Sequence, residues 1–248
     1  MQEDAETYDS YLVPAIFEPW SRDLIKRALV WKGDRVLDVA CGTGIVACRI
    51  AGTGAKVTGL DTDASRLEVA RKRADDESVQ VTWREGSGEA LPFRAPEFEL
   101  VTCQQGLQFM TDRAKAAREM RRVLVPGGRA VVSCWLPVAQ QGAYAAIDAV
   151  ATKHLVTPRE TSSPIDHETL NKLLLDAKFF AIQIETVTRQ VRVPDPARFA
   201  ALSLAWLTGA PASEAIVAEG VEALTPFVDG DALQFKMSSL VAVARIKA

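Results

Sequence analysis

Residues 36–44 read VLDVACGTG, and this stretch restricts the folds open to the chain more than any other. A run of apolar, strand-forming residues carries a single acid, Asp38, and then turns on Gly42 and Gly44. A helical pattern, Ile45–Ala51, starts directly from the turn. Glycines there supply backbone angles that other residues avoid and let a ligand approach the main chain. A strand that enters a helix through such a turn is the first half of a βαβ unit, and the half-units recur. Strands are predicted at Arg35–Val39, 56–60, 79–83, Phe98–Gln104 and 129–135, with helices at 19–30, Ile45–Ala51, 64–74 and 112–124. Pro126-Gly127-Gly128 is a stop signal between the last of these helices and the last strand. Such alternation implies right-handed crossovers and a doubly wound, mostly parallel α/β sheet.

The turn suits a nucleotide-like cofactor. Gly42-Thr43-Gly44-Ile45-Val46-Ala47 matches the pattern GxGxxA, and Asp61 ends the second predicted strand. A carboxylate there can accept hydrogen bonds from two ribose hydroxyls. Both a nicotinamide dinucleotide and S-adenosylmethionine fit these two features, and Asp38 separates them. Beside a pyrophosphate its charge repels, whereas beside an ammonium or a sulfonium it attracts. Residues 85–93 (EGSGEALPF) form a polar turn and an apolar hook placed to border an adenine ring. A nicotinamide-dependent oxidoreductase is the alternative from another reaction class. A non-catalytic module that binds S-adenosylmethionine is a third reading.

VLDVACGTG (36–44), GLDTD (59–63), GSGEALPF (86–93), FELVTCQQGLQFMTD (98–112) and LVPGGR (124–129) stand in a specific order and spacing. In these motifs the chain resembles the class I S-adenosylmethionine-dependent methyltransferases. More narrowly it is similar to the small-molecule branch typified by the ubiquinone and menaquinone biosynthesis enzymes. The likeness covers residues 19–136 well and the rest in outline. It implies a Rossmann-like sheet of seven strands with the last one antiparallel, plus a helical cap. It implies transfer of a methyl group from S-adenosylmethionine to a small organic acceptor, at oxygen, nitrogen or carbon. By the same resemblance, the loop of Asp38, Cys41, Gly42 and Gly44 wraps the methionine moiety, and Asp61, with Thr62 beside it, holds the ribose. Ser87, Gly88 and Glu89 lie around the adenine, and Gln104 passes near the amino-acid end. Two positions depart from the common pattern. Ser87 stands where many relatives have Asp, and Leu107-Gln108-Phe109 contains no histidine where many relatives have one.

Composition narrows the partners. The chain is 48% hydrophobic and 25% charged with a formal net charge of -3, which is ordinary for a globular protein. It has no basic stripe for nucleic acid and no Asn-Pro-Pro-Tyr-like tetrapeptide after Phe98–Gln104. Cys41, Cys48, Cys103 and Cys134 form no CxxC pair and lie far in sequence from both histidines. They are expected to be reduced thiols in a cytoplasmic protein without a metal site. No apolar run reaches the roughly 18 residues of a membrane span, and the acidic N-terminus is not a secretory signal. The expected partner is a small-molecule methyl acceptor, and a homodimer is compatible with the reading.

The second half is less regular. Helices are expected at 142–155, 166–177 (with Asp166 as N-cap), 197–207 and 213–224. Residues 182–193 alternate apolar and polar, and a final strand covers 237–246. The whole, 1–248, is read as one domain. Residues 19–136 are its cofactor-binding core, 137–165 and 194–230 its cap, and 181–193 with 237–246 an antiparallel hairpin of edge strands. The cap is rich in Ala, Leu, Phe and Trp, which suits an apolar or aromatic acceptor and equally suits internal packing. Tyr11 and Trp20 either cover the pocket or pack. Gln105 and Gln108 can orient an acceptor but cannot deprotonate it, so no catalytic base is assigned. His154, at the end of a cap helix, faces either substrate or solvent.

Overall fold

The computed structural model describes residues 5–154 and 164–247. Residues 155–163, part of the expected cap, lie outside the described residues. The strands are β1 (Arg35–Val39), β2 (Lys56–Asp61), β3 (Val81–Glu85), β4 (Phe98–Gln104), β5 (Leu124–Trp135), β6 (Phe180–Pro194), β7 (Val228–Asp229) and β8 (Ala232–Arg245). They form one sheet in the order β3-β2-β1-β4-β5-β8-β6, with the two-residue β7 paired to β8. The five strands from β1 to β5 pair in parallel. β8 runs antiparallel to both its neighbours. This is the Rossmann-like α/β sheet expected, with a seven-strand path and an antiparallel last strand. The final hairpin differs in one respect: β8 sits inside the sheet between β5 and β6, and only β6 is an edge. β8 can do so because its residues from Met237 to Ala244 are apolar or small on both faces, and most of them are buried. β6 keeps the alternating, half-exposed pattern of an edge strand.

Pro126-Gly127-Gly128 does not separate helix from strand. The strand already begins at Leu124, which pairs with Phe98, and the ladder resumes at Arg129 opposite Leu100. The intervening residues bulge, with Gly127 at φ +78°. Its N–H donates to Lys247 O, and Gly128 O accepts from Ile246 N–H.

The helices of the core are α3 (Ile45–Ala51), α4 (Ala64–Asp76) and α5 (Arg113–Arg122). Asp63 and Asp112 cap α4 and α5 by accepting backbone N–H bonds, which is why each begins where it does. α7 (His167–Asp176) starts from the expected cap, Asp166, which accepts from Thr169 N–H at 2.8 Å. The cap packs α6 (Ala143–His154), α8 (Pro196–Thr208) and α9 (Glu214–Ala223) onto the upper halves of β6 and β8. Ile147, Phe199, Leu204, Leu233 and Phe235 are buried in that cluster.

The N-terminal helix is longer than the 19–30 predicted. α1 (Ala5–Thr7) and a π-helical stretch, Tyr8–Phe17, run without a break into α2 (Glu18–Ala28). Pro19, the start of the predicted helix, is not a boundary, and Pro14 lies inside the helical run. Pro19 lies in the first turn of α2, where no N–H is needed. Around Pro14 the helix widens, and Glu18 N–H reaches back five residues to Val13 O. This segment reaches the end of β4, where Gln104 Nε2 donates to Phe17 O, and packs against β6. Val13 packs in the cluster with Ile45 and Val46 beside the glycine turn, while Tyr11, Ile16 and Trp20 pack with the cap. Asp9 pairs with Arg73 at 2.6 Å, Glu6 with Lys72 at 2.7 Å, and Glu18 with Arg49.

Candidate active site

The carboxyl ends of β1, β2 and β4 lie side by side in the sheet. β1 enters its turn through Ala40, at φ +55°, and β4 leaves through Gln105, at φ +56°. These are left-handed conformations that non-glycine residues avoid. The turn that follows Ala40 is tied to β2. Cys41 N–H donates to Leu60 O at 3.0 Å, and Gly42 N–H donates to Asp61 Oδ2 at 2.7 Å. Gly44, at φ +85°, opens α3; a side chain there would strike the Trp83 ring at 2.7 Å.

Asp38 is 1% exposed. Its register partner on β4 is Thr102, whose hydroxyl donates to Asp38 Oδ1 at 2.7 Å. Asp38 Oδ2 is buried with no hydrogen-bond partner. Burial pushes the carboxyl up to about 7 and the nearby Asp61 charge adds to that, while the Thr102 bond and the backbone N–H of Ala47 oppose it. Beside it, Gln104 Nε2 donates to Phe17 O at 3.2 Å, and Gln104 Oε1 is a second buried acceptor without a donor. The site therefore offers an unsatisfied carboxylate oxygen and an unsatisfied amide oxygen.

A cavity of about 160 Å³ opens next to the turn. Asp61, Thr62, Ser87, Gly88 and Glu89 all line it, so five residues from two separate motifs share one wall. Asp61 braces the loops with one bond per oxygen, from Gly42 N–H and from Asp63 N–H, and keeps further lone pairs for a ligand. The Ser87 hydroxyl accepts from Glu89 N–H at 3.1 Å, which closes its own turn. Glu89 accepts from Thr111 N–H at 2.8 Å and so ties this loop to the exit of β4.

The remaining candidates are placed as follows. Cys41 is buried in the turn, and burial lifts its thiol well above the usual range, so it is a small filler with no thiolate character. Gln105 turns toward β8 and donates to Ser239 Oγ at 3.0 Å. Gln108 accepts from Trp135 N–H at 2.8 Å. Trp20 is buried edge-on against Trp135, with centroids 5.1 Å apart. The Tyr11 hydroxyl donates to Pro194 O at 2.7 Å and fastens the N-terminal helix to β6. His154 pairs with Glu219 of α9 at 2.7 Å, within the cap. The structure thus gathers five of the cofactor candidates around one cavity, and gives Tyr11 and His154 hydrogen-bond partners in β6 and α9. Sequence reasoning missed Thr102, Phe109 and Met110. The last two line the cavity, and Thr102 was hidden because its importance comes only from its register opposite Asp38.

These features set a buried acid, a glycine turn and a second acid together at the carboxyl ends of a mostly parallel sheet. A family model described as a methyltransferase domain matches residues 37–132. The chain is 31% identical over 191 residues to the ubiquinone/menaquinone biosynthesis C-methyltransferase of Francisella philomiragia, spanning 68% of this chain and 76% of that one. It therefore belongs to the class I small-molecule methyltransferases and is an S-adenosylmethionine-dependent enzyme. Solved structures share its fold. The YcgJ protein of Bacillus subtilis superimposes with a TM-score of 0.66 at 19% identity, covering 92% of this chain and 98% of that one. Phosphoethanolamine N-methyltransferase 2 of Haemonchus contortus, solved with S-adenosyl-L-methionine, gives 0.60 at 18% identity, covering 100% of this chain and 61% of that one. The oxidoreductase alternative falls with these findings.

Proposed function

We propose that the chain binds S-adenosylmethionine through Asp38, the Cys41-to-Gly44 turn, Asp61, Thr62, residues 87–89 and Gln104. It then transfers the methyl group to a small apolar or aromatic acceptor held between core and cap. The observation that carries this reading is the pair of buried acceptors without donors, Asp38 Oδ2 and Gln104 Oε1. An ammonium brings three donors and a positive charge, so the amino-acid end of the cofactor fits them. A dinucleotide phosphate brings only acceptors and negative charge, and does not.

When bound, the cofactor would supply a methyl group activated by its sulfonium, with a neutral thioether as the leaving group. The protein's part is to bind, orient and exclude water, which supplies a large share of the acceleration in a displacement of this kind. Asp38 and Gln104 fix the amino-acid end. Asp61 fixes the ribose by accepting from its hydroxyls. Gln105 and Gln108 are held by Ser239 and Trp135 and carry no removable proton at neutral pH. The acceptor therefore brings its own reactivity, as an acidic phenol or enol, an amine or an activated carbon would. Among the described residues no helix is long and apolar enough to cross a membrane. The four cysteines are free and buried, which supports the cytoplasmic placement proposed here.

The test is calorimetric titration with S-adenosylmethionine, S-adenosylhomocysteine and NADH, on the wild type and on Asp61→Ala. Binding of the first two, lost in the variant, is expected. Binding of NADH alone would overturn the proposal.

A further inference from the structure

We infer that Phe109 and Trp206 form an aromatic corner that selects flat, aromatic methyl acceptors over saturated ones of the same size. The inference rests on the methyltransferase reading above and adds the residues that choose the acceptor. Phe109 ends the short 3₁₀ turn Leu107–Phe109 after β4 and lines the cofactor cavity. Trp206 stands on α8, in the cap. Both are large apolar side chains, 59% and 49% exposed. Their rings meet edge to face, with centroids 6.2 Å apart and planes at 89°. Core and cap thus touch through two exposed rings at the rim of the cavity.

The turn that presents Phe109 is fixed from behind. Gln108 accepts from Trp135 N–H at 2.8 Å, and Arg113 donates to Gln108 O at 2.9 Å. A side chain projecting from a braced turn has a reason to project. Two perpendicular rings make a corner in which a flat ring can stack on one face and meet the edge of the other, the two arrangements aromatic pairs favour. A saturated ring fills the same volume but has no π face to offer. Discrimination of this kind needs no charge and no base, in keeping with a site whose nearby glutamines cannot deprotonate.

The experiment saturates the protein with S-adenosylhomocysteine and titrates it with 2-naphthol and with decahydro-2-naphthol. The wild type is compared with Phe109→Leu, Trp206→Leu and the double variant, which keep apolar bulk and remove a flat face. Trp206→Phe, which keeps a ring, is the conservative control. We expect 2-naphthol to bind at least tenfold more tightly than its saturated counterpart. Each leucine variant should weaken 2-naphthol roughly two- to tenfold and leave the saturated alcohol unchanged, and Trp206→Phe should recover most of the loss. The double variant should lose less than the product of the two, because one ligand uses both rings. Equal binding of the two alcohols, no binding of 2-naphthol, or indifference to all the variants would overturn the corner. Failure of the wild type to bind S-adenosylhomocysteine would instead strike the methyltransferase reading itself.

Discussion

Asp38→Asn keeps the shape of the side chain, and the oxygen that accepts from Thr102, while removing the ionisation. In the wild type, burial lifts the carboxyl from its ordinary 3.8 to about 7. Between those values the folded chain holds a proton that the unfolded chain has released. Stability of the ligand-free protein therefore falls as pH rises through that window, and the loss is complete above about 7. About three pH units at 1.36 kcal/mol each come to about 4 kcal/mol. The asparagine does not ionise, so it escapes this loss at the expense of one buried amide group, about 1 kcal/mol. Urea unfolding at pH 5 and pH 8 reads the difference directly. At pH 5 the two chains should agree to within about 1 kcal/mol, and at pH 8 the variant should be more stable by roughly 2–4 kcal/mol. A gap independent of pH, or a less stable variant at pH 8, would show that Asp38 is not held as an isolated buried acid. The same substitution should weaken S-adenosylhomocysteine, whose ammonium needs the charge. In the wild type that affinity should drop by up to about tenfold per pH unit below about 7.

Asp61→Ala removes the acceptor for Gly42 N–H and Asp63 N–H together with the proposed ribose contacts. Calorimetry should show S-adenosylhomocysteine weakened by roughly 2–4 kcal/mol. At Gly106 a methyl group would stand 2.6 Å from Ala40 Cβ and 3.0 Å from Cys103 Sγ; Gly106→Ala should destabilise the fold by about 1–3 kcal/mol in thermal or urea unfolding. At Gly88 a methyl group would stand 2.7 Å from the movable end of Met110 and 2.9 Å from Cγ1 of Val39, a buried residue of β1. Gly88→Ala should therefore also destabilise the fold, by about 1–3 kcal/mol, and narrow the cavity enough to weaken S-adenosylhomocysteine by about tenfold. Tyr11→Phe deletes the donor to Pro194 O and should cost about 1 kcal/mol of stability, with cofactor affinity unchanged; a large loss of affinity would return Tyr11 to the site.

How much of this could be read from sequence depends on whether a function is carried by neighbours along the chain. The cofactor end is local. VLDVACGTG builds a strand, a strained turn and a helix start from nine consecutive residues, and GLDTD and GSGEALPF each contribute one loop, so one wall of the cavity was legible before any fold was known, while Phe109 and Met110 were not. Thr102 was not, since only strand register sets it opposite Asp38. The N-terminal helix was read too short because proline marks a boundary in most helices, and a π-helical turn around Pro14 is the exception. β8 was placed at the edge because chain order says nothing about which strand slides between two others. The proposed acceptor corner is non-local: Phe109 comes from the exit of β4 and Trp206 from the cap, and in sequence each is one aromatic among many. A cofactor shared by many enzymes is bound largely by backbone turns, which leave motifs. An acceptor peculiar to one enzyme is met by side chains from distant elements, which leave none. The cap, where folding joins those elements, is therefore the place to look for what this methyltransferase prefers.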